Sequence, residues 1–150
     1  MPEIEKEFIN TGKLKYVIKD FPLQAIHPLA FGAHLSASCA GQQGKYWQMH
    51  DKIFFNVKAI DIESLKGYAK ELGLDINRFD SCLNDSKWAD EIRNDIKEGR
   101  DAGVDSTPTF LLGLTDPQDP TRIRATVMIK GAYPYQNFKE AIEGLLSSKR

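Results

Sequence analysis

The amino-acid sequence predicts an α/β protein that carries a large helical insertion. Three observations lead to this class. Helical periodicity dominates residues 27–103, two short strand-like runs follow at residues 109–113 and 122–131, and an amphipathic helix comes after them. The two runs are close enough along the chain to pair as antiparallel neighbours. We therefore expect one domain over residues 1–150, in the order helix, strand, helical block, strand, strand, helix.

Composition narrows the possible functions. The 150 residues are 41% hydrophobic and 27% charged, which is ordinary for a soluble globular domain with a real core. The formal net charge of −1 gives no electrostatic reason to expect nucleic acid or an anionic membrane as a partner. No apolar stretch is long enough to span a bilayer, and the first residues, MPEIEKEF, lack the basic and apolar regions of a signal peptide.

Two elements are predicted before the helical block. The segment PEIEKEFIN predicts a helix, because Pro2 suits a first helical position and Ile4 and Phe8 share one face; Gly12 would end it. The segment KLKYVIKD, residues 13–20, predicts a strand. Its apolar side chains alternate with lysines, as expected for a half-buried strand: Leu14, Tyr16 and Ile18.

The helical block divides at glycines and at aspartates that suit helix N-caps. Phe31, Leu35 and Cys39 form one apolar stripe, and Asp75 is a candidate N-cap for a later helix. One segment, KYWQMHDKIFF, is rich in aromatic residues and could form a ligand or peptide platform. Aromatic residues at helical spacing more often belong to a core, so we expect the following side chains to be buried: Tyr46, Trp47, Phe54 and Phe55.

The last elements follow a Thr-Pro dipeptide. In VDSTPTFLLG, Thr107-Pro108 precedes a short apolar run that predicts a strand entered through a turn. In RIRATVMIKG, residues at alternating positions would share one face of the next strand: Ile123, Ala125, Val127 and Ile129. Residues 135–148 predict a helix with this buried face: Phe138, Ala141, Ile142, Leu145 and Leu146.

Several of these segments, in this order, resemble the DsbA-like branch of the thioredoxin superfamily. They are PEIEKEFINTGKLKYVIKDFPL, CAGQQGKYWQMHDKIF, YAKELGLDINRFDSCL, GVDSTPTFLLG and IKGAYPYQNFKEAI, which together extend over nearly the whole sequence. The resemblance implies a thioredoxin-like fold with a helical insertion at about residues 27–103. Family members begin with a strand and a CxxC motif at the start of the first helix, and both are absent here. We therefore expect a partial, N-terminally truncated domain, and either a start upstream of Met1 or a second chain that completes the sheet.

Cys39 and Cys82 allow three interpretations. Each lies on the apolar side of its helix, which suits free buried thiols, and their separation excludes a CxxC motif. The resemblance implies a structural disulfide, because relatives with cysteines in both matching segments use them in this way. A catalytic pair is disfavoured because neither cysteine begins a helix, where a thiol pKa would be lowered.

The role of Thr107 and Pro108 also depends on the resemblance. From spacing alone, Pro108 is a trans proline that begins a strand. The resemblance implies a cis proline, and implies that Thr107 offers its backbone N–H and C=O to an extended substrate. The three histidines, His27, His34 and His50, have spacings that match no metal-ligand pattern. We expect no metal and no cofactor.

The resemblance implies a thiol-disulfide oxidoreductase that acts on protein or peptide thiols and disulfides in the periplasm or another extracytoplasmic compartment. Because the CxxC motif is missing, this chain as written is expected to be inactive. Two alternatives remain open. The chain could be a non-catalytic thioredoxin-fold module that binds peptides, or a glutathione-dependent isomerase or transferase of the same superfamily.

Overall fold

The computed structural model describes residues 2–148, which divide into two compact units. One unit is the continuous segment Lys19–Gly103, and the other combines the residues up to Ile18 with those from Val104 onward. The regular elements of the first unit are all helices. This unit contains the predicted insertion at residues 27–103 and begins eight residues before it, at Lys19. That the whole chain acts as a single domain stays a prediction.

The helical unit contains α2 to α6, which pack around one apolar cluster. The side chains at its centre are almost fully buried because each lies on the inward stripe of its helix: Cys39, Met49, Ala69, Phe79 and Ile92. The helices are α2 (Ala30–Gly41), α3 (Tyr46–Phe55), α4 (Ile62–Glu71), α5 (Ile76–Leu83) and α6 (Ser86–Asp101).

The last three of these helices each begin directly after an aspartate that acts as the N-cap. The carboxylates of Asp61, Asp75 and Asp85 accept hydrogen bonds from backbone N–H groups in the first turns of α4, α5 and α6. These N–H groups have no partner within the helix, so the aspartates satisfy donors that would otherwise need water. The hydrogen bonds from Ser64 hold the pKa of Asp61 below its ordinary value. The prediction of Asp75 as an N-cap agrees with this geometry.

The aromatic residues of α3 differ from the sequence prediction. Trp47, Phe54 and Phe55 are exposed at 52%, 67% and 87%, so the expectation that they belong to the core is wrong. Helical geometry gives the reason, because Met49 and Ile53 already occupy the inward stripe of this short helix. The three aromatic side chains project from the other faces, and Tyr46 is the one that packs against the core.

The second unit combines a short N-terminal helix, a hairpin and the last helix. Its elements are α1 (Pro2–Ile4), a π-helical continuation (Glu5–Ile9), β1 (Thr109–Thr115), β2 (Ile123–Lys130) and α7 (Tyr135–Ser147). Its core is small and is formed by Ile4, Phe8, Phe138 and Ile142, which come from the two ends of the sequence. The Glu7 carboxylate adds a polar link between these ends, because it contacts Tyr135 Oη and lies 2.5 Å from Lys139 Nζ.

The hairpin is irregular in the middle. Phe110 pairs with Ile129 and Leu112 with Val127, but Gly113 pairs with Ala125, so Thr126 is an extra residue that forms a bulge. The bulge corrects the prediction of one continuous apolar face on β2. Val127 and Ile129 are half-buried, whereas Ile123 and Ala125, beyond the bulge, are exposed. Gly113 is required here, because a Cβ atom would lie 2.0 Å from the carbonyl oxygen of Arg124.

The predicted strand at residues 13–20 is wrong. Leu14, Tyr16 and Ile18 are half-buried and alternate with exposed neighbours, as the sequence pattern indicates. No ladder forms, however, because β1 and β2 pair only with each other among residues 2–148. A strand requires a hydrogen-bonding neighbour, and alternation of apolar residues cannot supply one. The segment keeps its apolar pattern by packing, with Leu14 against the Phe8 cluster.

Candidate functional site

The segment Val104–Pro108 forms a loop that leads directly into β1, and its residues are exposed except for Val104, which is half-buried. The peptide bond between Thr107 and Pro108 is cis. Both residues are exposed, and within residues 2–148 the backbone N–H and C=O of Thr107 have no hydrogen-bonding partner. The loop therefore presents one free donor and one free acceptor beside the first residue of a strand, which is an arrangement that an extended peptide can pair with.

Contacts with the end of β2 hold this loop in place. The N–H of Gly131 donates to the carbonyl of Pro108 at 2.7 Å, and Thr109 Oγ1 donates to the carbonyl of Ser106 at 2.7 Å. Lys130 Nζ lies 2.7 Å from the Asp105 carboxylate, which also accepts from Ser106 Oγ. The hydrogen bond from Lys130 and, second, that from Ser106 lower the pKa of Asp105 below its ordinary value of 3.8.

This arrangement predicts how Asp105 titrates. In the wild-type protein we expect the Asp105 carboxylate to titrate below its ordinary pKa of 3.8. In the variant Lys130→Met the same carboxylate should titrate at a higher pH, because its charged form loses its main hydrogen-bond donor. Since the folded pKa is depressed, the pair contributes stability above the ordinary pKa and loses that contribution as the pH falls through the folded value. Carbon-detected NMR titration of the side-chain carboxyl measures both midpoints.

The matched control for this titration is Lys139→Met. That change removes a lysine of the same unit that contacts Glu7 and not Asp105. The Asp105 midpoint should stay where it is in the wild-type protein. An unchanged midpoint in Lys130→Met would show that the loop is not tied to β2 through this pair.

The two cysteines form a disulfide between α2 and α5. Their Cα atoms are 5.7 Å apart, Cys39 is completely buried, and Cys82 is half-buried. An open cavity of about 390 Å³ adjoins the disulfide, and its lining includes Arg78 and Trp88. Each cysteine lies in the last turn of its helix, so neither receives the electrostatic support that lowers a thiol pKa at a helix N-terminus.

The three histidines are not brought together. Nδ1 of His34 lies 2.6 Å from the Asp20 carboxylate, and the His50 ring lies 4.5 Å from that of Phe54, measured between centroids. His27 lies in the exposed connection before α2. Among residues 2–148, no three His, Cys, Asp or Glu side chains are grouped so that they could hold a metal ion. The described helices include none that is both long and apolar enough to cross a membrane.

The sequence did not single out Asp105, Lys130 or Gly131, although these residues anchor the loop. Asp105 and Lys130 are 25 positions apart, and only the hairpin brings them together. A glycine directly after an alternating strand was the one available signal, and Gly131 does adopt a positive φ of 105°.

Known proteins that are similar to this chain show its fold class and then its family. The fold is similar to that of two variants of alpha-DsbA1 from Wolbachia pipientis, one with two cysteines changed to alanine and one with a threonine changed to valine. Each has a TM-score of 0.80, covers 98% of this chain and 75% of the other, and is 24% and 25% identical respectively. The predicted DsbA-like, thioredoxin-like fold is therefore confirmed. A family model described as Thioredoxin matches residues 1–129, and the chain belongs to that family.

Proteins related in sequence to this chain are named as sodium/proton antiporters and not as redox proteins. The chain is 33% identical over 111 residues to Na(+)/H(+) antiporter NhaA 1 of Salinispora arenicola and 31% identical over 124 residues to Na(+)/H(+) antiporter NhaA 3 of Salinispora tropica. The matches cover 74% and 83% of this chain but only 17% and 19% of those proteins. The chain thus spans less than a fifth of the length of these relatives.

Proposed function

We propose that this chain is the substrate-holding part of a thiol-disulfide oxidoreductase, and that the reactive cysteine pair lies outside residues 1–150, in the same polypeptide or in a partner. The observation that carries the proposal is the exposed Thr107–Pro108 loop, in which the backbone of Thr107 is free to pair with an extended peptide. The DsbA-like fold supports it.

The chemistry follows from thiol-disulfide exchange. A thiolate of the reactive pair attacks one sulfur of a substrate disulfide, forms a mixed disulfide and releases the other substrate sulfur as a thiolate. The second thiolate of the pair then attacks the mixed disulfide, which leaves a reduced substrate and an oxidised pair; oxidation of a substrate is the reverse sequence. Thr107 and Pro108 hold the substrate segment in an extended conformation, which aligns its sulfur with the attacking thiolate.

We assign Cys39 and Cys82 to structure and not to this exchange. Cys39 is fully buried in the core of the helical unit, and its disulfide joins two helices around which that core is built. A disulfide of this kind is stable in an oxidising compartment, which supports a periplasmic or other extracytoplasmic location for the protein.

The test separates the two pairs of cysteines. The wild-type protein and the double variant Cys39→Ala and Cys82→Ala are each expressed in the native source and purified from it. We expect both to reduce insulin disulfides, since Cys39 and Cys82 do not exchange with substrate. Circular dichroism at the assay temperature would establish that the variant is folded. If a folded double variant lost all turnover, Cys39 and Cys82 would be the reactive pair and the proposal would be wrong.

A second candidate function is favoured by the names of the curated relatives. The chain matches a small part of two proteins named sodium/proton antiporters, which suggests a thioredoxin-fold module attached to a membrane transporter. Such a module would bind peptides without turnover. Intact mass and membrane fractionation of the native-source protein distinguish the candidates. A mass several times that of the 150-residue chain, recovered with membranes, supports the second, and a small oxidoreductase free of membranes supports the first.

A further inference from the structure

Helix α3 carries apolar side chains on two of its sides. Met49 and Ile53 pack into the core of the helical unit, whereas Trp47, Phe54 and Phe55 project into solvent. A surface helix of a globular protein usually has one apolar stripe that faces the core and polar residues on its other side. The second apolar side of α3 therefore has no use in the core of this unit. We call the exposed Trp47, Phe54 and Phe55 the aromatic ridge.

The aromatic ridge is a contiguous surface and not a set of scattered rings. The His50 ring connects Trp47 to Phe54, with its centroid 5.6 Å from that of Trp47 and 4.5 Å from that of Phe54. Phe55 ends the helix, and Val57, two positions further on, is exposed as well. Single exposed apolar residues need no explanation, but a contiguous group of them marks a surface that contacts a protein or a membrane.

The size and shape of the ridge favour a membrane. Its three side chains expose roughly 400 Å², taking about 200 Å² for a whole aromatic side chain. A stable protein partner buries about 800 Å² on each side, against a surface that fits it closely. The ridge protrudes, and it lines neither the cavity beside the disulfide nor the open groove beside β2 and α7. A fluid lipid–water interface accepts protruding Trp and Phe rings without a matching shape.

The charges beside the ridge are compatible with lipid headgroups. The whole chain has a net charge of −1, but the flanks of α3 are basic. Lys45 directly precedes the helix and Lys58 follows it by three positions, and neither has an ion pair among residues 2–148. The one acidic residue of α3 is Asp51, whose carboxylate lies 3.3 Å from Nδ1 of His50. The lysines would attract anionic lipid, and Asp51 would oppose it.

The inference rests in part on the second candidate function. The chain spans less than a fifth of two relatives that are named as sodium/proton antiporters. Attachment to a membrane transporter would hold the ridge near a bilayer and raise its effective concentration there. Insertion of three rings would then be sufficient, even if it is weak for the separate chain.

We propose that the aromatic ridge of α3 binds the lipid–water interface of a membrane. The axis of α3 lies along the membrane surface, and the rings of Trp47, Phe54 and Phe55 lie at the boundary between the headgroups and the acyl chains. The site is distinct from the Thr107–Pro108 loop, which belongs to the other compact unit.

Tryptophan fluorescence tests this placement, because the chain has two tryptophans and only one is in the ridge. The variant Trp88→Phe leaves Trp47 as the sole probe. With phosphatidylcholine vesicles whose acyl chains carry bromine, we expect the Trp47 emission to be quenched and shifted to shorter wavelength. Addition of phosphatidylglycerol to the vesicles should tighten binding about fivefold. The control is Trp47→Phe, which leaves Trp88 packed against the helical core, where bromine should not quench it.

Variants locate the site. The double change Phe54→Ser and Phe55→Ser should weaken vesicle binding at least about tenfold, because binding scales with the apolar area that enters the interface. Both residues are exposed, and circular dichroism would establish that the variant is folded. Ile123→Ser removes an exposed apolar side chain of the other unit and should leave binding unchanged. Asp51→Asn should tighten binding to vesicles that contain phosphatidylglycerol, because it removes the opposing charge.

Three results would overturn the proposal. They are the absence of quenching at Trp47, an equal loss of binding in Ile123→Ser and in the double serine variant, and a lipid-free dimer that the double serine variant abolishes in sedimentation. The mass and membrane fractionation of the native-source protein test the second candidate function separately. A large membrane-bound protein whose separate chain does not bind vesicles would retain that candidate and overturn this inference.

Discussion

Replacing Cys39 and Cys82 with alanine is expected to lower the free energy of unfolding by about 4 kcal/mol, the chain-entropy value for a loop of this length. The disulfide closes a segment with a sequence separation of 43, which contains all of α3 and α4, most of α5 and their connections. Without it, the unfolded chain gains the conformational freedom of an open loop, and α2 and α5 lose the covalent cross-link between them. Urea unfolding followed by circular dichroism measures the difference.

Reduction provides the control for this experiment. A strong reductant should destabilise the wild-type protein by a similar amount and should leave the double alanine variant unchanged, since that variant has no disulfide to lose. The same loss by both routes would assign the effect to the covalent bond and not to the substituted side chains. A loss below about 1 kcal/mol by both routes would mean that the disulfide adds little to packing already present.

The change Phe79→Ala is expected to cost about 4 kcal/mol, within the range measured for deletion of a buried aromatic ring. Phe79 on α5 is completely buried and belongs to the cluster that includes Met49 and Ile92. Its removal loses the transfer free energy of the ring and leaves a cavity that close-packed neighbours fill only in part. Urea unfolding at neutral pH measures this cost directly.

Phe55 offers a matched control in the same unit. It is 87% exposed at the end of α3, so Phe55→Ala removes the same ring without opening a cavity. We expect a change within about 0.5 kcal/mol. If the two variants lost similar free energy, the assignment of Phe79 to the core and of Phe55 to the surface would be wrong.

Much of the helical unit could be predicted from the sequence because helices are local. The inward stripe through Leu35 and Cys39 and the N-cap at Asp75 follow from residues only a few positions apart. The prediction that the aromatic residues of α3 belong to the core was wrong for a related reason. Composition indicated that its rings are apolar, but only the packing of Met49 and Ile53 decided which of its faces is inward.

The candidate site was predictable in part. The Thr107–Pro108 dipeptide stood out by its position before an apolar run, and its role in binding substrate remains a proposal. Its anchors could not be found in this way. Asp105 meets Lys130 only because β1 and β2 form a hairpin with a defined register.

The sequence by itself determined the fold class of the protein. Hydrophobic periodicity, turn residues and the segments that resemble the family in the same order all depend on local patterns. The tertiary structure decided which of the apolar patterns find a pairing strand or a packing surface. Residues 13–20 alternate like a strand and lack one, β2 loses its continuous face at Thr126, and three aromatic side chains of α3 are exposed. The physical reason is the same in each case. Hydrogen-bonding neighbours and packing surfaces come from residues distant in sequence, and no local pattern specifies them.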